Sequence, residues 1–201
     1  MADEKLIVFV KAPRPGSVKT RLAKTLGADA ACDAYRQLVE ELLTELSRLT
    51  AVELRFAPDE AAAEIQPWLR ESWQARAQGG GDLGQRMQAA FADAFAAGAS
   101  RVAIVGSDCP EVRAADIRQA WNELKSHDLV IGPAMDGGYW LIGLTREQPE
   151  LFKGISWSSE HVLAQTLQRA KAAGLRIQLL RILSDVDTEK DWKDFLNSSL
   201  E

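Results

Sequence analysis

Cysteine, histidine and long apolar runs are all scarce in this chain, and each scarcity closes a class of function. Two cysteines in 201 residues, Cys32 and Cys109, cannot build a disulfide framework and lack the spacing of a zinc site. Reduced thiols are expected. Two histidines, His127 and His161, have no catalytic partner evident by spacing and read as ordinary helix or loop residues. No apolar run approaches the roughly 18 residues of a membrane span, and Met1–Lys5 leads straight into an apolar stretch without a cleavage region. A cytoplasmic protein is the expectation. No internal repeat, linker or composition shift divides the chain, so 46% apolar and 26% charged residues suggest one domain over residues 1–201. The closing Ser198–Glu201 reads in part as a cloning remnant.

Positive charge is also scarce outside one place. Residues 1–24 hold six Lys/Arg against two acids, which leaves 18 basic and 27 acidic residues elsewhere and a net charge of −5. A nucleic-acid partner would favour a basic face over much of the domain, whereas one basic loop suits a small polyanion.

Apolar, strand-like runs occur at 5–10, 52–57, 101–106, 128–132, 138–144 and 175–181, with a weaker alternating run at 73–77. Helical patterns fill most gaps: one capped by Asp29 and running to about Leu49, one capped by Asp82 and stopped by Gly98, and others over 59–66, 113–126, 158–173 and 188–197. The alternation predicts an α/β fold with a mostly parallel sheet flanked by helices, the adjacent runs 128–132 and 138–144 departing from simple βαβ order. A division near 100–110 into a nucleotide half and an acceptor half would remain within one domain.

The run Arg101–Val105 delivers Gly106-Ser-Asp-Cys-Pro110 at a strand end, where ligands of open α/β sheets bind, and Asp108 is a suitable oxygen ligand for Mg2+ or Mn2+. The first strand empties into Lys11-Ala-Pro-Arg-Pro-Gly-Ser-Val-Lys-Thr-Arg-Leu22, a loop stiffened by Pro13 and Pro15 and released by Gly16 into a helix. Lys11, Arg14, Lys19, Arg21 and Lys24, with backbone N–H groups at the helix start, suit a di- or triphosphate; a solvated basic surface is the plainer alternative. A P-loop does not fit, because the earlier glycine is missing and Val18 stands where a glycine should precede Lys19.

Gly79-Gly-Gly-Asp-Leu-Gly84 satisfies the dinucleotide fingerprint, but it follows the polar stretch Trp73–Ala77 rather than a central apolar strand. A loop approaching a base or ribose suits it better, with Gly81 close to the ligand and Asp82 either bonding it or capping its helix. Gly132–Trp140 places Asp136, Gly137, Gly138, Tyr139 and Trp140 between two strands. It is either a hairpin with buried aromatics or an acceptor pocket in which Asp136 orients or deprotonates a hydroxyl. Trp157 could line the same pocket, Ser158 or Ser159 serving only as an N-cap, while Trp68, Trp73, Trp121 and Trp192 read as packing residues. Asp185 and Asp187 point the same way on an extended backbone, and either could join Asp108 around one cation.

Five ordered motifs carry a resemblance over nearly the whole chain: Lys11-x-Pro-x-Pro-Gly-x-Val-Lys-Thr-Arg-Leu22, Gly81-Asp-Leu-Gly-x-Arg-Met87, Gly106-Ser-Asp-Cys-Pro110, Asp136-Gly-Gly-Tyr-Trp-Leu-Ile-Gly143 and Asp185-Val-Asp-Thr-x-x-Asp191. The chain resembles the radical-SAM/selenodomain-associated transferase 1 family of the glycosyltransferase-A, or nucleotide-diphospho-sugar transferase, superfamily. The likeness implies a GT-A fold and Asp108 as the remnant of an Asp-x-Asp metal motif. Residue 106 is glycine, so a second metal ligand must come from elsewhere, and Asp187 matches best. The resemblance favours a nucleotide-diphospho-sugar donor, Mg2+ or Mn2+ and a small hydroxyl-bearing acceptor, with Asp136 and Lys19 as catalytic residues. Lys19-Thr-Arg-Leu22 and Asp-Val-Asp-Thr also look like 2-phospholactate guanylyltransferase and the sugar-acid cytidylyltransferases, which attack an NTP at its α-phosphate and release pyrophosphate. A non-catalytic nucleotide sensor is the third alternative.

Overall fold

The computed structural model describes residues 3–198; positions 199–201 of the suspected remnant lie outside them. Its sheet has seven strands, β1 (Glu4–Lys11), β2 (Val52–Ala57), β3 (Gln74–Ala77), β4 (Arg101–Gly106), β5 (Leu129–Pro133), β6 (Tyr139–Leu144) and β7 (Ile177–Leu179). Their order is β3-β2-β1-β4-β6-β5-β7. The α-helices among the described residues are α1 (Thr20–Leu26), α2 (Ala28–Glu45), α3 (Ala62–Ile65), α4 (Leu83–Ala96), α5 (Ala114–Glu123), α6 (Val162–Ala172) and α7 (Glu189–Ser198).

Alternation along the central strand sorts the core into two layers. Leu6, Val8 and Val10 face a cluster with Tyr35, Leu42, Ile117 and Trp121 from α2 and α5. Ile7 and Phe9 face Met87, Phe91 and Ala170 from α4 and α6. Burial on both faces explains why β1 and β4 read as continuous apolar runs. In β2 the same layering buries Glu53 and Arg55 among hydrophobic residues. Lys5 Nζ lies 3.1 Å from Glu53, and Arg55 donates to Glu53 and to Asp93 at 2.5 and 2.8 Å, so neither charge is left unpaired.

Several boundaries differ from the sequence expectation. The run 175–181 forms only the three-residue β7, because Leu180 leaves the strand while its N–H still bonds Ile131. Gly27 rather than Asp29 stands at the N-cap of α2, and Asp29 falls in the first turn. The 59–66 helix is the short α3 followed by a 3-10 turn over Gln66–Trp68, where Pro67 withholds a backbone N–H. The helix expected from Ser158 begins at Val162, and Ser158 sits in the left-handed region at φ 64°. Asp82 caps α4 as expected, in a capping box with Gln85.

Topology then gathers the functional segments at one edge. β2 and β3 lie on one side of β1 and β4 on the other, so the strand order reverses between β1 and β4, where α/β sheets open a crevice beyond the strand ends. β6 runs antiparallel to β4, with Val105 opposite Leu141, so the beginning of β6 meets the end of β4. This inversion brings the Asp136–Trp140 turn to Asp108. A parallel bridge from Ala134 to Leu183 carries the chain after β7 to the same edge.

Candidate active site

At that edge lies a cleft of ≈ 890 Å³, reached by all five motifs. One wall is the end of β1 and the start of α1, with Lys11, Lys19 and Arg21; the floor is Ser107 and Asp108 after β4. The far wall is Asp136, Gly138, Tyr139 and Trp140, with Trp157 to Glu160 ahead of α6, while Gly81, Asp82 and Arg86 form the third side.

Tyr35 staples the two central strand ends together. Its hydroxyl accepts from the Lys11 N–H at 2.8 Å and shares a hydrogen bond with Ser107 Oγ at 3.1 Å, fixing the start of the basic loop against the Asp108 turn. Burial and the Asp108 charge both raise the Tyr35 pKa, so the phenol stays neutral.

The acidic centre is assembled by the backbone. The Val186 N–H donates to the Asp108 carbonyl at 3.0 Å, and the flanking residues Asp185 and Asp187 both line the cleft. Lys19, its side chain only 3% exposed, places Nζ 2.5 Å from Asp108 Oδ1 and 3.4 Å from Asp187 Oδ1. Arg21 Nη1 reaches the other Asp187 oxygen at 3.0 Å. Burial, reinforced by the charges of Asp108 and Asp136, pushes Asp185 up to about 7, with Lys19 opposing the shift.

Two carboxylates converging on one ammonium are a donor set of the right kind for a hard cation. The described residues contain no group of three or more His, Cys, Asp or Glu able to hold a metal. Mg2+ is commonly held by one or two carboxylates and completed by water and phosphate oxygens. A Cβ built on Gly106 meets nothing within 4 Å.

On the far wall Asp136 is exposed, and its Oδ1 accepts from the Gly138 N–H at 2.8 Å, which leaves Oδ2 outside that bond. Gly137 is required by its surroundings: its φ is 88°, and a Cβ there would lie 2.2 Å from the Glu160 carbonyl oxygen. Trp140 packs over Gly132 and donates Nε1–H to the Arg181 carbonyl at 3.1 Å, while Trp157 packs directly over Gly84.

The structure therefore gathers Lys11, Lys19, Arg21, Gly81, Asp82, Asp108, Asp136, Gly138, Tyr139, Trp140, Trp157 and Asp187 around one cleft. Pro15, Gly16 and Gly137 lie outside its lining and shape the adjoining turns. Arg14 is diverted, pairing with Glu60 at 3.1 Å and Glu64 at 2.6 Å, and Lys24 does not line the cleft either. Sequence reasoning gave no role to Arg86, whose Nε donates to the Gly81 carbonyl at 3.0 Å, or to Gln78, whose amide donates to the Val10 and Arg55 carbonyls at 3.0 Å. Arg86 sits inside a quoted motif and was legible as a cation; Gln78 carried no signal. His127 and His161 stay outside the cleft lining, and Trp68, Trp73 and Trp121 are buried in the core.

The family model described as "Uncharacterized protein conserved in bacteria (DUF2064)" matches residues 42–159, and the chain belongs to that family. No functionally curated protein matches it by sequence. A crystal structure of a "putative nucleotide-diphospho-sugar transferase" from Desulfovibrio desulfuricans G20 is 37% identical, with a TM-score of 0.91 over 99% of this chain and 88% of that one. Rv0371c of Mycobacterium tuberculosis H37Rv, in complex with manganese, is 14% identical with a TM-score of 0.59 over 98% of this chain and 100% of that one. 4-Diphosphocytidyl-2C-methyl-D-erythritol synthase from Anaerococcus prevotii DSM 20548 is 11% identical with a TM-score of 0.64 over 99% of both. These last two share the fold. Among the described residues no helix is long and apolar enough to cross a membrane.

Proposed function

We propose that this protein is a metal-dependent transferase that uses a nucleotide-activated donor, most consistent with a nucleotide-diphospho-sugar and a small hydroxyl-bearing acceptor. The observation that carries the reading is the division of one cleft into a basic wall at Lys11, Lys19 and Arg21, an acidic floor at Asp108 and Asp187, and an acceptor wall at Asp136. Near-full-length similarity to the Desulfovibrio desulfuricans protein supports it. The radical-SAM/selenodomain-associated transferase 1 assignment and action as one transferase domain in the cytoplasm belong to the same proposal.

In this reading Asp108 and Asp187 would hold Mg2+ or Mn2+, which would supply positive charge for the leaving diphosphate. Arg21 and Lys11 bind phosphate oxygens, Gly81 lets the backbone come close to the nucleoside, and Asp136 orients the attacking hydroxyl or takes its proton. Arg14 is bound to Glu60 and Glu64 rather than to the cleft, which lowers the positive charge there and suits a diphosphate better than a triphosphate.

Nucleotidyl transfer is the second reading, favoured by the four cations Lys11, Lys19, Arg21 and Arg86 that still line the cleft. The two chemistries leave different products. Incubation with nucleotide sugars and with nucleoside triphosphates, each with Mn2+ and an acceptor panel, should yield a nucleoside diphosphate from the sugar donor. Release of pyrophosphate from a triphosphate would replace the first reading with the second, and ligand binding without turnover would leave a sensor.

A further inference from the structure

Lys19 occupies an unusual position for a phosphate ligand. Its ammonium is turned away from solvent and lies between the two carboxylates of the acidic floor, whereas the Arg21 side chain beside it is 67% exposed. The backbone is held: Lys19 precedes α1 at φ 45° and ψ 47°, and its carbonyl accepts the Ala23 N–H at 2.8 Å. Only Lys19 and Ser158 among described non-glycine residues have positive φ, and both line this cleft. Such a conformation persists where the surroundings impose it. Two acids thus hold one buried cation, and Asp185 lines the same cleft.

We propose that Lys19 is an internal placeholder for the divalent cation, which makes metal binding conditional on polyphosphate. The inference rests on reading the cleft as a metal and nucleotide site. A dication entering between Asp108 and Asp187 meets an ammonium already paired with both oxygens, and at such short range two like charges cannot share the position without a large repulsion. Polyphosphate resolves the conflict. It draws the Lys19 ammonium by side-chain rotation onto its own oxygens, frees the carboxylates and supplies the remaining metal ligands. The carboxylates thus keep a partner before and after binding, which avoids the cost of stranding a partly buried charge. Metal and polyphosphate then strengthen each other's binding by the same factor, as linkage requires.

The test is Mn2+ binding, read from the electron paramagnetic resonance signal of free Mn2+, for the wild type and Lys19→Met with and without inorganic pyrophosphate, against protein-free blanks for the Mn2+–pyrophosphate complex. The wild type should bind Mn2+ about tenfold or more tightly once pyrophosphate is present. Lys19→Met should bind Mn2+ alone about tenfold more tightly than the wild type and gain less from pyrophosphate than the wild type does. Lys19→Gln supplies the same comparison if the methionine variant does not fold. Equal or weaker Mn2+ binding by the neutral variant overturns the placeholder role alone. If Mn2+ binds neither protein under any condition, or binds unchanged to Asp108→Asn, the metal and nucleotide reading of the cleft falls with it.

Discussion

The backbone N–H of Val186 donates to the carbonyl oxygen of Asp108 at 3.0 Å. With the Ala134–Leu183 bridge, this bond seats the chain after β7 against the strand-end turn after β4, so that Asp185 and Asp187 reach the cleft that Asp108 floors. The acidic centre is therefore set by main-chain geometry, and its side chains can be changed one at a time without unseating it.

Asp108→Ala should abolish metal-dependent nucleotide binding while leaving the fold intact, because the Asp108 side chain is 52% exposed and its carbonyl, not its carboxylate, bonds Val186. Calorimetric titration with and without Mn2+, beside a circular dichroism melt, measures both. Unchanged divalent-ion dependence would remove Asp108 from the metal site.

Loss of Arg21 should weaken ligands in order of phosphate count, each charge-assisted contact contributing about 1.5–3 kcal/mol. Lys19→Ala should weaken polyphosphate in the same order. Titrations with a nucleoside and its mono- and diphosphate give the series; equal losses across it would indicate packing instead.

Asp136→Asn should retain the turn, since the amide oxygen still accepts the Gly138 N–H, and should spare donor and metal affinity. Turnover should fall about 10²- to 10⁴-fold if Asp136 is the general base. Near-normal turnover would reduce it to a turn residue, and a collapse of donor affinity would place it on the donor side.

Gly84→Ala tests the Trp157 wall. The added Cβ would lie 2.5 Å from Trp157 Cζ2, so the indole must move. Overpacking of this kind costs about 1–3 kcal/mol, and Trp157→Phe in the same chain should recover part of it. Thermal melts of the two single variants and the double variant decide, and purely additive losses would mean that the indole is not held by this contact.

Asp128 supplies a pH prediction remote from the cleft. Its carboxylate accepts from the Arg176 backbone N–H and from Nε and Nη2, and these bonds hold its carboxyl down to about 2. A depressed carboxyl contributes stability above its unfolded pKa, and that contribution disappears as pH falls through the folded value. Asp128→Asn should therefore melt a few degrees below the wild type at pH 7, and the gap should close between about pH 4 and 2. A gap that persists at pH 2 would show that shape, not charge, is responsible.

Local pattern made much of this protein legible. β2 and β4 lie where their runs were read, β4 because burial on both faces leaves a continuous hydrophobic stretch, and the α4 cap was written in Asp82. Short-range signals failed where a tertiary partner overrode them. β7 is cut to three residues where Leu180 leaves the strand, and the Arg14 side chain turns away from the cleft because Glu60 and Glu64 lay within reach after folding.

From the sequence alone come the strand set, the ordered motifs and the carboxylates and cations a polyphosphate site needs, because periodicity, caps and residue chemistry are properties of neighbours along the chain. Only the tertiary structure decided which of those groups meet. Lys19 and Asp187 stand 168 residues apart, and their contact depends on an antiparallel β6 and a parallel β7 that turn distant loops toward one edge. Burial did the rest: it confined Lys19 between two acids and raised the Asp185 carboxyl, effects of desolvation and proximity that no local pattern encodes.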